Sequence, residues 1–302
     1  MRRKIPSTTA LAAFEAAARH QSFTRAANEL ALTQSAVCRQ IASLESFVGV
    51  KLFRRSRRGI LLTEAGASYG QSVRARLEEV ERDTLALMAK GGAESSLELG
   101  VVPTFATRWL MPRLPTFQRV HPGITLHLTP HVRPFLFEET ALDGALHAGY
   151  AGWPGTRSSL LLREHLIAVG SPRLVARGQR LRPADLAEYP LLQISTRPYA
   201  WRRWFESVGL RVERDLAGPR MELFSMLAEA AVQGLGIALV PSFLVQDELQ
   251  RSDLVQLTSH SQLSDRAYYL IYPEGKALDP TLGAFRSWVE EEARRFARQE
   301  MG

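Results

Sequence analysis

The chain has 302 residues, 45% of them apolar and 23% charged, with a net charge of +7 and a single cysteine. That length suggests two or three domains, and one cysteine excludes an intrachain disulfide framework and fits a reducing cytoplasm. No run of eighteen apolar residues is present to span a membrane, and the basic start "MRRKIPSTTALAAF" lacks the apolar core of a signal peptide.

The charge is unevenly placed. Residues 1–66 hold eleven Arg and Lys against four Glu, an excess of seven. Residues 67–302 balance to zero. A small basic module on a neutral body suits an anionic partner such as nucleic acid, although a solubilising surface would have the same composition.

Four helix-period stretches open the chain. Leu11, Phe14 and Ala18 predict a helix over about 8–20. In "SFTRAANELAL", Thr24 is the expected cap of a short helix carrying Ala26, Ala27 and Leu30. Thr33 then caps a third helix with Val37, Ile41, Leu44 and Val48 on one side, ending at Gly49. "KLFRR" and "GILLT" read as two strands around a basic turn, Arg54 to Gly59. Helix, short helix, helix and basic hairpin make a winged helix-turn-helix. The apolar arc of the third helix leaves Gln34, Ser35, Cys38 and Arg39 outward. Gln and Arg can pair with base edges, and Ser and Cys permit close approach. The hairpin arginines would meet phosphates or the minor groove.

From about 64 to 90 the pattern is one long helix, with Tyr69, Val73, Leu77, Val80, Thr84 and Leu87 along a stripe. Such a stripe suits pairing with a second copy, or ordinary core. "KGGAESS" (90–96) reads as a hinge. Beyond it, "LELGVV", "ITLHLT", "LIAVGS", "LLQIS", "GIALVP" and "AYYLIYP" are strand-like. "RWLMPRLPTFQRV" is expected to be mostly helix bent at Pro112 and Pro115. "WRRWFESVG", "LFSMLAEAAVQ", "SFLVQDELQ" and "TLGAFRSWVEEEARRFARQ" supply further helices. The alternation predicts α/β architecture with mainly parallel sheets, long enough for two lobes.

Several sharper chemistries fail on spacing. His127, His131 and His147 match no metal-binding pattern. "GASYG" (66–70) fits a nucleophile elbow formally but opens a helix instead of a strand-to-helix turn. "GLG" (234–236) is a tight turn, not a dinucleotide fingerprint. Cys38 reads as a small residue at a DNA-facing position, with Arg39 alone being thin support for a redox switch. Trp201 and Trp204 read as lobe packing. No catalytic constellation, metal or cofactor is expected, which argues against an enzyme.

"LAAFEAAARHQSFTRAANELALTQSAVCRQIASLESFVGVKLFRRSRRGILLTEAG" resembles the DNA-binding domain of LysR-type transcriptional regulators. "LELGVVPTFATRWLMPRLPTFQRVHPGITLHL", "AGWPG", "SPRLV", "AWRRWF" and "AAVQGLGIALVPSFLV" extend the resemblance along the chain, toward the branch that includes glycine-cleavage and β-lactamase-gene activators. The resemblance implies a winged helix (1–66), a dimerising linker helix (67–90) and a two-lobed α/β sensor (91–302) similar to type 2 periplasmic binding proteins. Lobe 1 would take about 97–166 and 270–302, and lobe 2 about 167–269. It also implies a bacterial source, a dimer of dimers, contact with RNA polymerase, and a small polar effector such as a carboxylate or an amino acid. Carried over by position, Thr33, Gln34, Ser35, Cys38 and Arg39 meet DNA from the recognition helix, and Arg54 and Arg55 from the wing. Thr104, Phe105, Ser195, Thr196, Arg197, Ser225 and Tyr268 would hold the effector. Arg197 is either an anion clamp or a solvated loop arginine, and Ser225 at a helix start would help hold a carboxylate. Two positions depart from the family pattern: Cys38 stands where Ser is frequent, and His147 where many members of the branch carry arginine. The expected function is a sequence-specific, effector-responsive regulator of transcription. The competing readings are a general DNA-bending protein and an enzyme built on the two lobes.

Overall fold

The structure, a computed structural model, describes residues 4–56, 59–89, 95–175 and 180–300. The chain divides into two units, Met1–Gly92 and Ala93–Gly302.

In the first unit, α1 (Thr8–His20), α2 (Phe23–Glu29) and α3 (Gln34–Val48) precede a hairpin of β1 (Phe53–Ser56) and β2 (Gly59–Leu62), and α4 spans Glu64–Ala89. Each short helix has a side-chain cap. Ser7 Oγ accepts the Ala10 amide and Thr33 Oγ1 accepts the Ala36 amide. The cap of α2 is Ser22, whose Oγ accepts the Arg25 amide at 3.3 Å. The expectation of Thr24 is corrected: Ser22 is extended and three residues ahead of a free N–H, whereas Thr24 already lies inside the helix. Gly49 closes α3 at φ 75°, where a Cβ would be strained. Alanines 13, 16, 17, 26 and 27 are fully or almost fully buried, so α1 and α2 pack closely against Val37 and Ile41 of α3. Phe14, Leu44, Leu52 and Val73 form the neighbouring cluster that fastens the start of α4.

In the second unit, β3 (Ser95–Val101) runs parallel to β4 (Ile124–Pro130) and to β5 (Gly144–Gly149). Between β3 and β4 lie α5 (Pro103–Phe105), a π-turn at Ala106–Leu110, and α6 (Leu114–Val120). The bent helix expected over 108–120 is therefore the end of the π-turn and the short helix α6. Pro115 stands in the first turn of α6, where a missing N–H costs nothing. After β6 (Thr156–Gly170) come β7 (Leu191–Ile194), α7 (Ala200–Ser207), β8 (Arg220–Met221), α8 (Phe224–Val232), β9 (Ile237–Pro241), α9 (Gln246–Gln250), β10 (Val255–Pro273) and α10 (Pro280–Glu300). The strand order is β4-β3-β5-β10-β6-β9-β7-β8. The outer pairs are parallel, but β5–β10, β10–β6 and β6–β9 are antiparallel. The expectation of mainly parallel sheets is corrected on this point.

The two long central strands define the two lobes. The last part of β10, Ala267–Pro273, pairs with residues 156–163 of β6 and, over Ala267–Ile271, with β5. Its first part pairs with residues 165–170 of β6, which also pairs with β9. The β10 register breaks between Leu263 and Ala267. Residues 264–266 and Glu164 therefore sit at the break in the pairing of the two long strands. The core on the β7 side holds Trp201, Trp204 and Phe205, so both tryptophans are lobe packing. Before β9, "GLG" is a tight turn: a Cβ on Gly236 would come within 2.3 Å of the Pro190 carbonyl.

Candidate functional site

Two surfaces carry polar chemistry, one in each unit. On α3, Val37, Ile41 and Leu44 are buried, while Gln34, Ser35 and Arg39 are exposed and Cys38 is half-buried. Thr33 Oγ1 lies 3.1 Å from Ser35 Oγ, and Thr24 Oγ1 donates to Gln34 Oε1 at 3.4 Å. The outward edge is thus a set of short donors and acceptors plus one long cation, ordered by its own cap. Glu45, on the same helix, reaches the other way. Its carboxylate accepts the Leu52 amide at 2.9 Å, the Phe53 amide at 3.2 Å and Lys51 Nζ at 2.6 Å. Burial pushes the Glu45 carboxyl upward, but these donors outweigh it and hold its pKa below the ordinary value. This contact ties α3 to the start of the hairpin. Arg54 is exposed on β1. Arg55 pairs with Ile60 through its backbone, while its side chain, like Arg57 and Arg58, lies outside the described residues.

In the second unit, Thr104, Ser195, Thr196, Arg197 and Tyr268 line one cavity of about 1150 Å³. Ser225 stands behind Thr104. Its backbone N–H donates to Thr104 Oγ1 at 3.1 Å, and the Thr104 hydroxyl donates to Ser225 Oγ at 3.3 Å. The start of α8 is therefore already occupied by a threonine, and the anion role given to Ser225 is not met directly. Phe105 is a second correction. It is fully buried, stacked 5.0 Å from Trp109 and 4.8 Å from Tyr268, and belongs to the core. Its neighbour Thr104 takes the cavity side.

Arg197 fits neither expectation. It is 8% exposed, so it is not a solvated loop residue, and its guanidinium donates to Glu164, itself wholly buried. Burial disfavours the charge, but the Glu164 carboxylate more than restores it, so the arginine pKa is raised. Phe224 stacks under the guanidinium at 4.9 Å. The charge of Arg197 is committed inside the protein. Arg266, which sequence reading missed, also lines the cavity. It donates to the Thr196 carbonyl at 3.2 Å, lies 5.6 Å from the Tyr150 ring, and has no carboxylate within ion-pair distance among the described residues. The Tyr268 hydroxyl is buried beside the Arg197 guanidinium and the Glu164 carboxylate. Burial and the Glu164 charge push its pKa up.

His147 sits on β5 against Trp153, 5.0 Å between ring centroids. Burial, together with the charges of Arg266 and Arg197, lowers its pKa to about 4. It is neutral at pH 7 and does not replace an arginine electrostatically. Phe135, Phe137 and Trp153 form a ring cluster on the same wall. Their positions in irregular chain gave no periodic signal. No group of three or more metal-ligating side chains is assembled among the described residues. No described helix is long and apolar enough to cross a membrane.

A winged helix-turn-helix with an outward polar helix edge, joined to a two-lobed α/β domain with a polar cavity, defines a ligand-responsive DNA-binding regulator. The family model described as bacterial regulatory helix-turn-helix protein, lysR family, matches residues 8–67, and the LysR substrate binding domain matches residues 90–294. The chain belongs to the LysR family and is a LysR-type transcriptional regulator, which sets aside the enzyme reading. It is 37% identical over 290 residues to the glycine cleavage system transcriptional activator of Escherichia coli, covering 96% of this chain and 94% of that one. It is 36% identical to the transcriptional activator AmpR of Pseudomonas aeruginosa, over 94% and 95% of the two chains. The solved effector domain of that AmpR superposes with a TM-score of 0.63 at 30% identity, covering 68% of this chain and all of that one.

Proposed function

We propose that the chain binds promoter DNA sequence-specifically as a dimer or a dimer of dimers in the bacterial cytoplasm, and that a small polar molecule in the cavity of residues 93–302 controls the spacing of its DNA-binding heads. The supporting observation is the exposed edge of α3: Gln34, Ser35 and Arg39 stand outward on a helix whose apolar side is buried, in the part of the chain that carries the whole positive excess. Phosphate contacts from Arg54 and Arg55 supply affinity, and Gln34, Ser35 and Arg39 supply discrimination, with Thr33 and Cys38 at the same edge. An effector that binds one arrangement better shifts the population toward it and alters the bend of the DNA, and with it the contact with RNA polymerase.

The test is competition binding at moderate salt, the protein's own promoter region against scrambled duplex. The promoter is expected to win strongly. Arg39→Ala costs about 1–3 kcal/mol of promoter binding, the range for one bidentate base contact, and leaves scrambled-duplex binding nearly unchanged. Equal affinity for both duplexes in the unaltered protein would instead make this a general DNA-bending protein.

A further inference from the structure

The cavity has two unlike kinds of lining. Thr104, Thr196 and Arg266 make a polar wall. A ring wall is built from aromatic side chains: Phe135 lies 5.3 Å from Trp153 and 5.1 Å from Phe137, and His147 closes on Trp153.

Charge is scarce on the polar wall. Arg197 is committed to Glu164, and Arg133 stands 3.7 Å from Glu222. Burial keeps His147 neutral. Arg266 is the remaining cavity cation, and it has no carboxylate within ion-pair distance among the described residues. The Tyr268 hydroxyl, by contrast, is fully buried beside Arg197 and Glu164 and is not open to a ligand. A guanidinium fork without a carboxylate of its own is complementary to a ligand carboxylate, which accepts from it.

The rings decide against an aliphatic effector. A free amino acid such as glycine has no apolar body to lay against them. Its ammonium group would also need an acceptor, yet Glu222 is paired with Arg133, and Glu138 and Glu139 are exposed. A planar apolar body against Trp153 and Phe135 satisfies the ring wall instead.

We infer that the effector is an aromatic carboxylate, its carboxylate seated on Arg266 and its ring on Trp153 and Phe135. This rests on the cavity being the effector site.

The experiment is calorimetric titration of the full chain with indole-3-propionate, benzoate and cinnamate, and with glycine, acetate and uncharged indole as counterparts. At least one ring-bearing acid is expected to bind, and the counterparts to bind at least tenfold more weakly. Arg266→Gln and Trp153→Leu should each weaken that acid at least tenfold, while Trp153→Phe, which keeps a ring, retains most of the affinity. Cooperative unfolding of each variant checks that it is folded. The proposal is overturned if glycine or acetate binds as tightly as the best aromatic acid, if none of the three ring-bearing acids binds at millimolar concentration, or if Arg266→Gln and Trp153→Leu leave binding intact. Tight glycine binding abolished by Arg266→Gln would sink the ligand class and keep the cavity as the effector site. Ring-acid binding indifferent to both substitutions would place the ligand elsewhere and sink the cavity reading as well.

Discussion

His147 shows how much one side chain can be changed by its surroundings. From the sequence it is a cation-capable residue at a position where arginine is frequent in the branch. In the fold it is 6% exposed, packed on Trp153, with Arg266 and Arg197 near enough to repel a proton. Its pKa falls from 6.5 to about 4. Between these two values the unfolded chain binds a proton that the folded chain refuses, so unfolding is favoured as pH falls. Stability is complete above about pH 6.5, declines through the window, and has lost about 3 kcal/mol from this residue alone near pH 4. His147→Gln should flatten that part of the curve. The measurement is denaturant unfolding followed by tryptophan fluorescence at several pH values. All five tryptophans lie between 109 and 288, so the signal reports the second unit. An unchanged slope in the variant would mean that His147 takes up its proton in the folded state as readily as in the unfolded chain. Arg197 teaches the same lesson from the other direction. Both sequence-level roles for it assumed an available charge, and Glu164, thirty-three residues away, had already taken it. Sequence spacing carries no sign of such a partner, because β6 and the loop after β7 meet only once the sheet is assembled.

At the scale of elements, α4 is the informative one. Its stripe begins in the core, where Val73 is buried against Phe14 and Leu44 and where Tyr69 stacks on Phe14 at 5.6 Å. Further along, the same helix leaves Val80 60%, Leu85 58% and Met88 72% exposed. A helix that stays apolar after its domain has ended suits a second copy, since burying such side chains gives roughly 1.5–3 kcal/mol each. Val80→Glu combined with Leu85→Glu is therefore expected to yield a smaller species by light scattering. It should weaken promoter binding far more than scrambled-duplex binding, because two heads no longer share one site. An unchanged assembly would assign the seam to other elements. Helices of this kind were legible from their period and, for α1 and α3, from their caps: α1 starts at Ser7, and α3 starts at Thr33 and ends at Gly49. The sheet was less legible. "LIAVGS" and "AYYLIYP" are only the apolar halves of β6 and β10, and the polar halves near the break in their pairing look like loop. β5 was passed over for a similar reason, as "GALHAG" has small residues where a strand signal needs β-branched ones. The π-turn at Ala106–Leu110 breaks the helical hydrogen-bond step without any proline inside it. In the cavity, Thr104, Ser195, Thr196 and Tyr268 came from resemblance to a family pattern. Arg266 follows a register break, and Trp153 and Phe135 lie in irregular chain, where neither period nor pattern points.

For the whole molecule, the separation of charge from signal has a measurable consequence. The first unit carries the positive excess and no tryptophan, and the second carries every tryptophan and no net charge beyond residue 66. Binding to phosphates engages the first unit and depends steeply on salt, with log K falling about 0.9 per neutralised phosphate against log salt. If that were the whole of DNA binding, the second unit would be indifferent to it. Regulation requires otherwise. An effector that alters promoter affinity must, by linkage, have its own site altered by promoter DNA to the same free energy. Promoter duplex should therefore raise the tryptophan-reported unfolding temperature of the second unit, and scrambled duplex of equal length at equal salt should not. Helical circular dichroism would follow the first unit and rise with both duplexes at low salt. Equal tryptophan shifts with the two duplexes would mean that charge neutralisation alone is transmitted. No shift with either would mean that the heads read DNA without involving the effector domain, and the coupling would then have to arise between copies instead of within one chain.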